Sequence, residues 1–290
     1  MLALAALAVL LGLAAGLGGQ PLDRKLLDQI EILHDVVIGK GGERTLHAEI
    51  ARPKHPPKTP MPAVIWIHGG GWQGGTHKQN GAWVLALLGY FTASIEYRLS
   101  AEATWPAQIE DCKLAVRWLR ANAAQYNVDP NRIGVWGMSA GGHLVACLGT
   151  PADKADASSR VQAVADYCGP TDFTDQDGNN DFLRKLYAKL CGGTLSEKPD
   201  AWRQASPLLH VSAACPPFLI VHGEKDELVP IAHSERMEAA LRKAGVPVEF
   251  IRVKGGNHGM IPPPGQPRAE PDLETLCKRV AAFFDEHLKQ

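Results

Sequence analysis

The sequence predicts an α/β fold: one mostly parallel, twisted central sheet with helices on both faces, opened by an N-terminal antiparallel hairpin. Three observations carry this. Short unbroken apolar runs, of which residues 63–67 are the clearest, have the signature of strands buried on both faces. Amphipathic stretches of helical period alternate with those runs, the pattern of a parallel sheet with helical crossovers. Ahead of both, residues 30–38 and 44–52 alternate apolar with polar positions around Gly39-Lys40-Gly41-Gly42, which marks a hairpin.

The remaining elements follow in order. Residues 52–62 are dense in proline and lysine and suit an exposed loop. Strand 63–67 runs straight into His68-Gly69-Gly70-Gly71-Trp72. A helix near 79–88 precedes a strand at 91–97. A long amphipathic helix spans about 106–124, with Pro106 in its first turn and Ile109, Cys112, Ala115, Val116 and Leu119 at helical spacing. Residues 127–131 turn into a strand at 133–136, and a helix begins after Gly142. A strand at 161–167, a polar loop at 171–180 and a helix at 182–190 come next. Strands at 218–221 and 248–253 flank a helix at 231–244, and an amphipathic helix at 273–288 closes the chain.

A length of 290 residues with 45% hydrophobic and 21% charged content fits one soluble domain over 20–290. The formal net charge of −1 offers no basic surface for nucleic acid and no acidic tail. Residues 2–19 contain only Leu, Ala, Val and Gly, and Gln20-Pro21 closes the stretch. This predicts a signal peptide at 1–19 and a secreted or periplasmic protein, with an uncleaved membrane anchor as the alternative; the absence of Lys or Arg near Met1 departs from the signal pattern. Six cysteines show no metal-ligand spacing. Cys112 and Cys147 fall on helices and read as small core residues, while Cys168, Cys191 and Cys215 lie near loops and are the disulfide candidates in an exported chain.

The chemistry centres on Gly137-Met138-Ser139-Ala140-Gly141, a Gly-x-Ser-x-Gly turn between a strand and a helix. Side chains at the two outer glycines would collide with the adjoining elements, so the serine is held out at the sheet's end. A serine hydroxyl needs a base, and the base needs an acid to hold its tautomer. Where the serine stands on a strand-to-helix turn of this Gly-x-Ser-x-Gly kind, they follow in the order Ser, acid, His. Asp226 stands in the loop after strand 218–221, with Glu224 and Asp172 as rivals, and His258 stands in the glycine-rich loop after strand 248–253. His143 is expected to bond locally, and His222 and His233 to support the acid loop. The developing oxyanion needs backbone N–H donors, for which Gly70, Gly71 and Ala140 are the candidates. His68 reads as an organiser of the glycine loop. Trp72 either walls the acyl pocket or packs in the core.

These stretches carry a resemblance. His68-Gly69-Gly70-Gly71-Trp72 with Gly75, Tyr97-Arg98-Leu99, the run from Pro106 to Arg120, Gly134 to His143, and Asp226 with Pro230 resemble the α/β-hydrolase superfamily of carboxylesterases. Within it the chain is most similar to the group of bifunctional feruloyl and acetyl-xylan esterases. The resemblance implies an α/β-hydrolase fold and a serine esterase that uses an acyl-enzyme and no cofactor. It also implies a small-molecule or polysaccharide ester as substrate, with Ser139, Asp226 and His258 as the triad. Relatives with the same core include arylformamidases, and an amide hydrolase or an inactive binding protein are the alternatives. No sizeable insertion other than 171–202 offers a lid, which favours short acyl groups and soluble substrates.

Overall fold

The computed structural model of the protein describes residues 24–151 and 157–289, so the apolar leader at 1–19 lies outside the described residues. A four-residue helix, α1 (Arg24–Leu27), leads into the hairpin of β1 (Ile30–Gly41) and β2 (Arg44–Pro53), which pair antiparallel with Gly41 opposite Arg44. There follow β3 (Met61–Ile67), β4 (Phe91–Ile95), α2 (Ala107–Ala121), β5 (Val128–Met138), α3 (Ala140–Gly149) and β6 (Ala163–Tyr167). The chain continues through α4 (Asp181–Cys191), α5 (Pro199–Gln204), β7 (Phe218–Gly223), α6 (Ala232–Lys243), β8 (Val248–Val253) and α7 (Leu273–Leu288). The eight strands form one sheet in the order β1-β2-β4-β3-β5-β6-β7-β8. From β4 to β8 every neighbouring pair is parallel, while β2 meets β4 antiparallel.

Successive strand residues face opposite sides, so each buried strand feeds two cores. Ala63, Ile65 and Ile67 of β3 join a cluster with Ile109 and Val116 of α2 and Leu144 of α3. Val64 and Trp66 of the same strand join a second cluster with Val280 and Phe284 of α7. Helices on both faces and the opening hairpin are thus as expected from the apolar runs. No helix among the described residues is long and apolar enough to cross a membrane.

The topology locates the site. From β3 the chain steps to β4 on one side, and from β5 it steps to β6 on the other, so the loops leaving β3 and β5 diverge. A crevice opens at such a switch point beyond the carboxyl ends of the strands. His68 to Gly71 and Ser139 are the residues that leave those two ends.

Three expectations are corrected. Instead of a helix at 79–88, only Trp83–Leu88 coil, as a 3-10 turn. The Asn80 carboxamide oxygen takes the Ala82 N–H at 3.1 Å, and Gly81 lies so close to the Trp66 ring that a β-carbon there would be 2.6 Å away. The segment is pinned as a loop before it can wind. The region 193–210, without an expected element, contains α5 and a 3-10 turn at Pro207–His210, each begun by a proline in its first turn. All six cysteines are free and buried, serving as small core residues rather than forming a disulfide.

Candidate active site

Ser139 adopts φ 58° and ψ −121° between β5 and Ala140, a conformation costing a residue with a β-carbon on the order of 1–3 kcal/mol. Its glycine neighbours make the turn fit. A β-carbon on Gly141 would lie 2.0 Å from the Ile67 carbonyl oxygen, and one on Gly137 would lie 2.5 Å from the Gly141 carbonyl. Strand, turn and helix therefore pack backbone against backbone, and Ser139 lines a cavity of about 1150 Å³. Among the described residues its hydroxyl has no hydrogen-bond partner.

The loops after β7 and β8 bring an acid and a base to the same cavity. His258 Nδ1 donates to Asp226 Oδ2 at 2.7 Å, which leaves Nε2 as the basic nitrogen. Asp226 Oδ1 accepts the N–H groups of Leu228 and Val229, both at 2.9 Å. The Asp226 side chain is fully buried, while that of His258 is 19% exposed. A second imidazole holds the same carboxylate: His222 Nε2 lies 3.1 Å from Asp226 Oδ2 and 2.9 Å from the Val229 carbonyl. Both are acceptors, so Nε2 carries the proton and Nδ1 accepts from the Ser234 hydroxyl at 2.7 Å.

Burial works to raise the Asp226 pKa, but hydrogen bonds from His222 and His258, the His258 charge and the Val229 N–H outweigh it. The carboxyl sits well below the usual carboxylate range. Burial likewise works against a charged His258, and Cys168 and Asp226 beside it more than reverse this, so its pKa is raised. Burial pushes the Cys168 thiol up.

The glycine loop after β3 forms the facing wall. Gly70 takes φ 110°, and a β-carbon there would lie 2.3 Å from the Gly74 carbonyl oxygen. His68 stacks on Tyr97 with ring centroids 4.3 Å apart and donates from Nδ1 to the Gly69 carbonyl at 2.8 Å. The Tyr97 hydroxyl donates to the His68 carbonyl at 3.1 Å, and the Ser100 N–H to the Trp72 carbonyl at 2.7 Å. Between them Arg98 grips Asp111 of α2 with two parallel bonds of 2.8 and 2.7 Å, fixing the end of β4 to that helix. Gly70, Gly71 and Ala140 line the cavity beside Ser139. Among the described residues no carbonyl takes the Gly70 or Gly71 N–H, and Ala140, as the first residue of α3, has no intrahelical acceptor.

Trp72 borders the cavity yet is only 1% exposed, with its ring edge-on to Phe173 and Tyr187. Its indole donates to His143 Nδ1 at 3.2 Å, and His143 Nε2 donates to the Ala205 carbonyl at 2.7 Å. Burial pushes the His143 pKa down to about 4, against the pull of that carbonyl, so the ring is a neutral bridge. His233 is driven to about 3, chiefly by burial. It accepts the Thr171 N–H at 3.1 Å and donates to Asn179 Oδ1 at 2.9 Å. The rival acids stand apart: Glu224 is exposed, Asp172 Oδ1 bonds the Thr174 N–H and hydroxyl, and neither is hydrogen-bonded to His258.

One neighbour escaped the sequence. Cys168, directly after β6, takes φ 46° and lies against His258, with Sγ 3.5 Å from that residue's carbonyl oxygen. Its position at a strand's carboxyl end next to the serine strand was the available signal. Among the described residues, Cys168, Asp226 and His258 are also the one trio of metal-capable side chains, with ligand atoms within 4.8 Å of one another. An ion there would take the atoms that join Asp226 to His258.

A family model described as BD-FAE matches residues 49–241. Esterase LipQ of Mycobacterium tuberculosis is 34% identical over 236 residues, covering 77% of this chain and 56% of that protein. The chain spans about half the length of the curated relatives it matches. Among solved structures, a truncated form of carbohydrate esterase from gut microbiota superposes with a TM-score of 0.72 at 30% identity, over 90% of this chain and 97% of that one. The acetyl ester-xyloside bifunctional hydrolase of Caldicellulosiruptor lactoaceticus gives 0.67 at 25% identity, over 85% and 87%.

Proposed function

We propose, for a chain that belongs to the BD-FAE family, that it is a serine-dependent carboxylic ester hydrolase of short-acyl or aryl esters, working through an acyl-enzyme. The observation that carries this is convergence: the serine turn, the glycine loop and His258 line one cavity, and Asp226 holds His258 from behind. Relatives named as esterases, a neighbour named as a carbohydrate esterase and another named as an acetyl ester-xyloside hydrolase support ester over amide, and acetyl or feruloyl esters of plant polysaccharide are among the substrates to be tried.

In the proposed mechanism Ser139 Oγ attacks the ester carbonyl carbon while His258 Nε2 takes the hydroxyl proton. Asp226 fixes the tautomer and stabilises the imidazolium that forms. The C–O double bond's electron pair moves to the oxygen, which is received by the N–H groups of Gly70, Gly71 and Ala140; one such donor is worth roughly 3–4 kcal/mol of barrier. As the tetrahedral carbon collapses, the C–O bond to the alcohol breaks and the alkoxide takes the His258 proton. Water then repeats the cycle on the acyl-serine and frees the acid. Ser139 and His258 are not bonded to each other at rest, and such contacts commonly tighten only on substrate.

The test sets acetylated xylan, methyl ferulate, short nitrophenyl esters and N-formylkynurenine side by side with purified protein, alongside labelling by a fluorophosphonate. We expect ester turnover and labelling that Ser139→Ala abolishes. Turnover of the formamide alone would move the chain to the amide hydrolases, and absence of both turnover and labelling would make it a binding protein on this scaffold.

A further inference from the structure

Among the described residues six large apolar side chains are exposed: Leu27, Ile32, Val37, Phe182, Leu209 and Leu228. Four of them, all but Val37 and Leu209, line the cavity that holds Ser139. They come from four separate parts of the chain: α1, β1, the start of α4 and the acid loop. Exposed apolar residues are ordinarily scattered singly, and their gathering at one opening marks a surface that something apolar covers.

The chain's own N-terminus says what covers it. Residues 2–19 are an unbroken run of Leu, Ala, Val and Gly, as many consecutive apolar residues as a bilayer-spanning stretch needs. Eight Cα-to-Cα steps separate Gly19 from Leu27, a reach of at most about 28 Å. Arg24-Lys25 falls within that link, where basic residues suit the headgroup layer. A membrane that held residues 2–19 would lie within that reach of Leu27, on the rim of the cavity.

We propose that the mouth docks on a lipid surface, with Leu27, Ile32, Phe182 and Leu228 as the apolar collar that meets it, and that the ester reaches Ser139 from the lipid phase. The docking stands without the esterase assignment; the delivery rests on it. Soluble substrates were expected because the chain offers no large lid, but a collar that itself seats on lipid needs none.

The docking test uses the full chain carrying Leu228→Cys or, off the collar, Leu209→Cys. Each is tagged with an environment-sensitive thiol dye, which the six buried native thiols leave to the introduced residue. Phosphatidylcholine vesicles with brominated tails should quench the dye at 228 at least twofold and leave the dye at 209 unchanged. Equal quenching at both positions, or none at 228, overturns the proposal. So does a dye at 228 already shielded without vesicles: if the shielding grows with protein concentration a second copy covers the mouth, and if it does not the chain's own leader does. None of this needs turnover, so an inactive protein still answers it. For delivery, Phe182→Ser with Leu228→Ser should lower the rate on a vesicle-embedded ester at least tenfold relative to that on a water-soluble one; an unchanged ratio overturns it.

Discussion

At Asp226 one carboxylate oxygen is shared by two imidazoles with opposite duties. His222 is buried and fixed by Ser234 and the Val229 carbonyl, whereas His258 is the partly open one. Only His258 is placed to exchange protons with a ligand in the cavity. Its pKa is raised above the ordinary value, so the imidazolium persists to higher pH and the neutral base appears only above it. The acid limb of kcat/KM should therefore have its midpoint above pH 6.5; a midpoint below that value would contradict the Asp226 influence. Asp226→Asn keeps the shape but loses the charge and the tautomer control, and kcat should fall by about 10⁴-fold, measured on whichever nitrophenyl ester is turned over. At this scale the sequence was informative because each candidate stands at the end of an apolar run, next to glycine or a turn. Cys168 was hidden because it is 90 residues from His258, and nothing local says that the end of β6 abuts the loop after β8.

The serine turn is an element in which three backbones meet, and its tolerance should differ sharply from one glycine to the next. Gly141→Ala places a β-carbon 2.0 Å from the Ile67 carbonyl oxygen, a contact that rigid backbone cannot relieve. We expect a loss of about 3 kcal/mol or more in chemical denaturation, or no folded protein. Gly74→Ala meets nothing within 4 Å and should stay within about 0.5 kcal/mol of the parent. At the far end of the chain, the Asp272 carboxylate caps α7 by accepting the Thr275 N–H at 2.9 Å, and Asp272→Ala should cost about 1 kcal/mol by the same measurement. Helix α7 was legible to the residue because its apolar stripe is long and regular. The segment at 79–88 was not, since its apolar residues satisfy a helical period while Asn80 and the Trp66 ring, set by tertiary contact, hold it open.

For the whole molecule, the order of strands and the two-faced sheet followed from alternating apolar runs, and the crevice between the ends of β3 and β5 followed from the order. The cysteines show where such reasoning stopped: loop proximity suggested bridges, but burial depends on what the rest of the chain lays over each thiol. With all six buried and free, an aromatic disulfide reagent should modify none of them in the native protein and all six after denaturation, and reductant should leave Tm unchanged. An intact mass lighter by two or four hydrogens under non-reducing conditions would count against this. The bridge from Trp72 through His143 to Ala205 has a consequence for exchanging parts between relatives. It ties the glycine loop to the stretch ahead of Pro207 through a ring on α3. A recombinant in which 193–206 came from another parent would inherit its loop geometry from a donor chosen for a different indole and imidazole. Crossovers that keep positions 72, 143 and 205 from one parent should yield active chimeras far more often than those that split them.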